Sequence, residues 1–228
     1  ANIQMAVDSL KKGAIEFVQK PFDKNRLLNF VTRAVENVNL KRENQKLNTQ
    51  LFYSYDLVGE SEEIKKIKNL IEKVGKTDSR VFIFGPAGSG KELIARKLHK
   101  ISQRSNKPFI IVNGALLEPE RYELELFGSE NLDGTINYGA FEKAQGGTLL
   151  IDEISEIPFE TQAKILRVII DQKFKRLNSN HDISVDVRII CCNSKDIVKE
   201  IKNGNFREDL YHRLNVFNIN IEPLNKRI

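Results

Sequence analysis

Two short stretches of this chain combine residue types and spacings that suit phosphate chemistry. The first is Gly85-Pro86-Ala87-Gly88-Ser89-Gly90-Lys91, which fits the pattern G-x-x-x-x-G-K. Its glycines let successive backbone N–H groups turn inward around phosphate oxygens, and a helix starting at the end of the turn adds its positive dipole end. Lys91 supplies a mobile point charge for the β- and γ-phosphates. The next position, where a hydroxyl residue usually meets magnesium, is Glu92. The second stretch is Gly146-Gly147-Thr148-Leu149-Leu150-Ile151-Asp152-Glu153, an apolar run ending in two acids 61 residues beyond Lys91. An apolar strand that delivers carboxylates at its C-terminal end beside a phosphate loop lets Asp152 hold magnesium and Glu153 polarise an attacking water. The chemistry implied is hydrolysis of ATP to ADP and phosphate, with ATP and Mg2+ as the bound species.

Both stretches need strands to hold them. Arg80–Phe84, Phe109–Val112, Thr148–Ile151, Val187–Cys191 and Val216–Ile221 read as strands, and 60–74, 91–103, 158–171 and 195–203 have helical periodicity. Alternation of this kind, with strands apolar throughout, predicts an α/β fold: a three-layer P-loop sandwich with a mainly parallel sheet covered on both faces. Ahead of it, residues 2–12 read as a short helix, Ile15–Val18 as a strand, and a helix begins at Lys24 with Leu27, Leu28, Val31, Ala34, Val35 and Val38 at helical spacing. Residues 39–50 are polar and read as an exposed helical linker. Leu40 and Leu47, seven apart, would also suit a dimerising coiled coil.

Composition narrows the class. Of 228 residues, 40% are hydrophobic and 29% charged, as in ordinary globular proteins, and no apolar run approaches the roughly 20 residues needed to span a bilayer. The N-terminal residues lack the basic start and apolar core of a signal peptide. Cys191 and Cys192 are adjacent and on a strand would face opposite ways, which argues against a disulfide framework and for a reducing, cytoplasmic setting. The net charge of +5 is a mild excess of 36 basic over 31 acidic residues, compatible with nucleotide or nucleic acid but no more than a solvated surface carries. His99, His181 and His212 are too scattered to suggest a zinc site.

With these residues in view, 56–228 resembles the AAA+ domain of bacterial enhancer-binding proteins, the ATP-driven activators of sigma-54 RNA polymerase. The resemblance is carried by Leu57-Val58-Gly59-Glu60-Ser61, Gly85–Glu92, Glu125-Leu126-Phe127-Gly128, Gly146–Glu153 and the run Phe206-Arg207-Glu208-Asp209-Leu210-Tyr211-His212-Arg213-Leu214-Asn215-Val216. In that family the residue after the loop lysine is normally Glu, so Glu92 fits. The resemblance implies that Val58 and Gly59 lie against adenine and that Asn113 is a switch residue holding the catalytic Glu153. It also implies that Arg207 and Arg213 reach a neighbouring subunit's ATP. Arginine fingers are worth roughly 10³ to 10⁵ in rate, so hydrolysis is expected to need self-association into a dimer or ring.

Two departures are visible. The family's sensor segment usually carries Thr-Asn, whereas Asn193-Ser194 follows Cys191-Cys192 here. The loop between Phe127-Gly128 and Gly146-Gly147 lacks the Gly-Ala-Phe-Thr-Gly-Ala sequence that contacts sigma-54, and Gly139-Ala140-Phe141 aligns better with the segment before the second acidic motif. A loss of this sort is similar to that in NtrX-type regulators, and implies regulation of transcription without sigma-54 remodelling. The first forty residues resemble the last third of a response-regulator receiver, with Lys20 matching the lysine that contacts the phosphorylated aspartate. The expected division is therefore a receiver piece at 1–38, a linker at 39–55 and the AAA+ α/β subdomain at 56–228, with the lid and DNA-binding domain outside the chain. A sensor histidine kinase and promoter DNA are expected partners through those outside parts, RNA polymerase is a further one, and no membrane is expected. The competing expectation is a nucleotide-gated oligomerisation module with little or no hydrolysis. A metabolic P-loop kinase would need an acceptor site and lid for which no residues stand out.

Overall fold

A run of consecutive apolar residues, rather than alternate ones, buries both faces, and four such runs pair into one sheet, with the alternating Phe217-Asn218-Ile219-Asn220 at its edge. The computed structural model describes residues 57–223, apart from 132–133, together with 27–28, 31–32 and 34–36. The chain divides into two units, Ala1–Ser54 and Tyr55–Ile228. In the first, the described residues are helical, where the spacing of Leu27, Leu28, Val31, Ala34 and Val35 predicts a helix. The expected elements at 2–18, Lys20 and the linker at 39–50 lie outside the described residues.

In the second unit, α1 (Glu62–Gly75) leads to β1 (Val81–Phe84), α2 (Lys91–Ile101) and β2 (Phe109–Asn113). Next come two single 3-10 turns, α3 (Tyr122–Phe127), the hairpin β3 (Gly128–Glu130) and β4 (Ile136–Tyr138), and α4 (Ala140–Lys143). The chain continues through β5 (Thr148–Asp152), α5 (Phe159–Asp171), a second hairpin of β6 (Lys173–Lys175) and β7 (Asp182–Ser184), β8 (Arg188–Asn193), α6 (Ile197–Lys202), α7 (Glu208–Leu214) and β9 (Phe217–Asn220). The five-stranded sheet has the order β2-β5-β8-β1-β9, and every pair in it is parallel. The order reverses at β1, so the carboxyl ends of β1, β5 and β8 border one crevice, the place where open α/β sheets bind ligands.

Alternation along each strand sorts side chains into two cores. Phe82, Leu149, Ile151, Ile189 and Cys191 face one, with Phe127, Phe141 and Phe206. Val81, Ile83, Leu150, Ile190 and Cys192 face the other, where Ile67, Ile71 and Val74 of α1 and Ile94 and Leu98 of α2 cover them. The two cysteines thus point to opposite faces, both fully buried as free thiols. α1 ends on a buried cation. Arg188, 2% exposed, donates to the carbonyls of Val74 and Gly75 at 3.0 Å and of Ser79 at 3.2 Å, filling acceptors that the helix terminus leaves open.

His99 on α2 is a second buried polar group, with Nδ1 2.9 Å from the Thr148 hydroxyl and its ring tilted on Phe109. Burial pushes its pKa down from 6.5 to about 4, against a hydrogen bond with the Lys107 backbone that favours the charged form. The fold therefore holds His99 neutral, while the unfolded chain protonates it below pH 6.5. Stability from this residue is complete above pH 6.5 and drains away as pH falls towards 4, by roughly 3 kcal/mol in all. Urea denaturation at pH 7 and pH 4.5 should give a steeper loss for the parent chain than for His99→Asn, which cannot take the proton.

Candidate nucleotide site

The carboxyl edge of the sheet brings the two phosphate-related stretches together. Strand register aligns Phe84 with Asn193 and Asn113 with Asp152, so β1, β2, β5 and β8 deliver their last residues to one rim. The turn 85–90 leaves β1 and ends at Gly90, the N-cap of α2. Gly88 and Gly90 have φ of 74° and 92°, a left-handed backbone that side chains resist, and space around both is open. Pro86, Ala87 and Gly88 are exposed, whereas Gly85 and Ser89 are buried.

Lys91 is only 7% exposed, and its Nζ reaches the carbonyls of Gly85 (3.0 Å) and Pro86 (3.3 Å) and Oε1 of Glu153 (3.2 Å). Glu153 sits at φ 49° and ψ 54°, a conformation that costs a non-glycine residue on the order of 1 kcal/mol and is tolerated mainly at functional sites. Its Oε2 accepts from the Ser194 amide (2.9 Å) and hydroxyl (2.7 Å). Burial works to raise the Glu153 carboxyl, but the two Ser194 bonds and Lys91 outweigh it and hold it below the usual range. Asp152 behaves oppositely. Burial and then the neighbouring Glu153 charge push its carboxyl up, beyond what Lys91 offsets. Two adjacent acids with pKa values driven apart can perform two different tasks. Asp152, partly exposed and repelled by Glu153, suits a cation-binding role. Glu153, ionised and oriented, suits polarising a water.

Asn113 has a different partner from the one the resemblance implies. Its amide donates to Asp152 Oδ2 at 3.2 Å, and Ser194 takes the place beside Glu153. The segment that departs from the family pattern is therefore the one that holds the glutamate. Asn193, fully buried, accepts from the Ser155 amide (3.1 Å) and donates to the Lys195 carbonyl (2.8 Å), which fixes the turn presenting Ser194. Gly114 is a second residue not singled out from sequence. A Cβ there would lie 2.5 Å from the Glu153 carbonyl, so only glycine lets the end of β2 approach so closely. The Tyr122 hydroxyl pins the Gly114 carbonyl at 2.5 Å.

Glu92 points along α2 to a 2.7 Å ion pair with Arg96. Val58 is 89% exposed beside Gly59, whose φ is 133°. Arg207 and Arg213 make no hydrogen bond with Lys91, Asp152 or Glu153. Arg207 pairs in bidentate fashion with Asp209 (3.0 and 2.7 Å) over the ring of Phe159, its amide held by buried Gln162, and Arg213 is exposed. The stretch Gly139-Ala140-Phe141 opens α4, with Ala140 and Phe141 fully buried, so it presents no exposed loop. The exposed part of this region is β4 of the β3–β4 hairpin, whose β3 is mostly buried and whose turn carries a Gly134 amide to Asn131 carbonyl bond (2.9 Å). Among the described residues no helix is long and apolar enough to cross a membrane.

Comparison with known proteins shows the family and the fold. The family described as the sigma-54 interaction domain matches residues 57–220. The nitrogen assimilation regulatory protein NtrX of Azorhizobium caulinodans is 46% identical over 227 residues, 99% of this chain and 50% of that protein. Crystal structures of NtrX from Brucella abortus in complex with ADP and with ATP are similar at TM-scores of 0.78 and 0.77. They have 43% and 44% identity and cover 100% of this chain and 51% and 52% of theirs. The chain spans about half the length of the curated relatives it matches.

Proposed function

From a chain that belongs to the sigma-54 interaction domain family, we propose an ATP-binding and ATP-hydrolysing module of a two-component transcriptional regulator of NtrX type. The observation that carries the proposal is the convergence of Lys91, Asp152 and Glu153 beneath the 85–90 turn. The relatives whose crystal structures contain ADP and ATP support the choice of nucleotide. In this reading the turn from Gly85 to Gly90 wraps the phosphates, Lys91 leaves its two carbonyls for them, and Val58 and Gly59 meet the adenine.

The residues present fit magnesium. Among the described residues no cluster of three or more His, Cys, Asp and Glu side chains could hold a metal by itself. A magnesium ion characteristically takes one or two carboxylates and completes its shell with substrate phosphates and waters. Asp152 is the carboxylate offered, and the ion would neutralise charge on the phosphates and relieve the repulsion between Asp152 and Glu153. Glu153 accepts a proton from the attacking water, and Asn113 steadies Asp152. Arg207 and Arg213 act on a neighbouring subunit's nucleotide. Residues 1–38 serve as the receiver piece with Lys20 and 39–55 as the linker. The histidine kinase, promoter DNA and polymerase act through the longer protein, in a cytoplasmic setting. The short β3–β4 hairpin and buried Phe141 support action without sigma-54, which would be refuted by ATP-dependent open-complex formation with sigma-54 polymerase.

A nucleotide-gated assembly module with little hydrolysis is favoured by one observation, the bidentate hold of Asp209 on Arg207 within the same subunit. Phosphate release measured across protein concentrations separates the two. Hydrolysis per subunit should climb as rings assemble, whereas flat, near-zero turnover with ATP-dependent assembly would favour the second reading.

A further inference from the structure

The opposite, amino edge of the sheet encloses a cavity of about 380 Å³, within the size range of small-molecule sites. Arg80, just before β1, and Arg188, at the start of β8, line it together with Arg104. Val168, Ile169 and Val216 add apolar wall, and Gln172, at the end of α5, lies beside it.

The charges of this cavity do not balance. Arg104 takes up both acids of the lining, with 3.0 and 3.2 Å bonds to Asp78 and a 2.7 Å bond to Asp186. Arg188 spends its donors on three backbone carbonyls. Arg80 is left over. Its Nε is buried with no hydrogen-bond partner among the described residues, and no carboxylate pairs with it there. Arg213 adds like charge nearby, and burial combines with that charge to press the guanidinium pKa downward. A partly desolvated cation without an acid, with one buried donor lacking an acceptor, is unfavourable, so the arrangement calls for an anion.

We propose that this cavity binds a small organic anion, a carboxylate or phosphate group on a short apolar body, with Arg80 as its charge partner and Val168, Ile169 and Val216 against the body. The site lies at the edge of the sheet opposite the phosphate turn, and neither requires the other. An anion held here would touch β8 and the residues preceding β1 and β9, three adjacent strands, of which β1 and β8 carry nucleotide-site residues at their far ends.

The test uses the chain labelled with 15N. The Arg80 Nε–H signal is assigned by its loss in Arg80→Met, or in Arg80→Lys should the methionine variant misfold, and butanoate is titrated at constant ionic strength against chloride. A saturable shift of that signal, unchanged when Lys91→Ala removes the phosphate-loop lysine, is the expected result. Inorganic phosphate as a second probe tells whether the oxyanion alone suffices or the apolar body is needed. A signal that follows chloride, or drifts without saturating up to roughly 50 mM, well above a 1 mM dissociation constant, overturns the proposal.

Discussion

Glu153→Gln should lower ATP turnover by roughly 10² to 10⁴-fold, the usual contribution of a positioned general base, while ATP still binds. Glutamine has the same shape and keeps an oxygen that can accept from the Ser194 amide and hydroxyl, so the strained backbone at φ 49° has no reason to relax. Only the charge is lost, and with it the 3.2 Å pair with Lys91 and the ability to take a proton. Freed from that pair, Lys91 has one fewer competitor when phosphate arrives, so nucleotide affinity should be equal or higher. Phosphate release and equilibrium binding of a fluorescent ATP analogue, measured on the same preparation, give both quantities. Undiminished turnover would remove Glu153 from the proposed role.

The second large effect belongs to binding. Lys91→Ala should weaken ATP affinity by about 10² to 10³-fold, since truncating one partner of a buried charge pair typically costs 2–5 kcal/mol. Lys91 is nearly inaccessible, and its present contacts are two carbonyls of the turn and Glu153, all of which it can exchange for phosphate oxygens. The same change leaves Glu153 half-buried without its cation, so its carboxyl should rise from its lowered position. Ser194 keeps part of the effect through its two bonds. Isothermal titration with ATP and magnesium measures the loss directly. Lysine-to-arginine at this position should not rescue it, because the planar guanidinium is too large for the space between Gly85, Pro86 and Glu153.

Much of this architecture is legible without coordinates, and the parts that are not share a physical cause. The five core strands and four of the helices fall within a few residues of their sequence ranges because the strands carry runs rich in apolar residues and the helices a 3.6-residue apolar period, both long enough to read. The hairpins β3–β4 and β6–β7 have three-residue strands such as Lys173-Phe174-Lys175, with at most two apolar residues each, too short for a period to register. The phosphate turn and the acidic pair stand out because their chemistry sits in contiguous residues. Ser194 does not, since its partnership with Glu153 spans 41 positions and comes from β5 and β8 being neighbours. The exchange of Asn113 from Glu153 to Asp152 is likewise set by register, which places Asn113 directly across from Asp152. Arg80 and its cavity are invisible in sequence, because an unpaired arginine is defined by the acids that Arg104 has already taken.

A crystal structure of this chain with magnesium and a non-hydrolysable ATP analogue tests the central claim most directly. The account predicts the triphosphate along the Gly85–Gly90 amides, Lys91 Nζ withdrawn from the Gly85 and Pro86 carbonyls to the β- and γ-phosphates, and the metal between those phosphates and Asp152. Nucleotide bound away from the turn, or a metal held without Asp152, would contradict it.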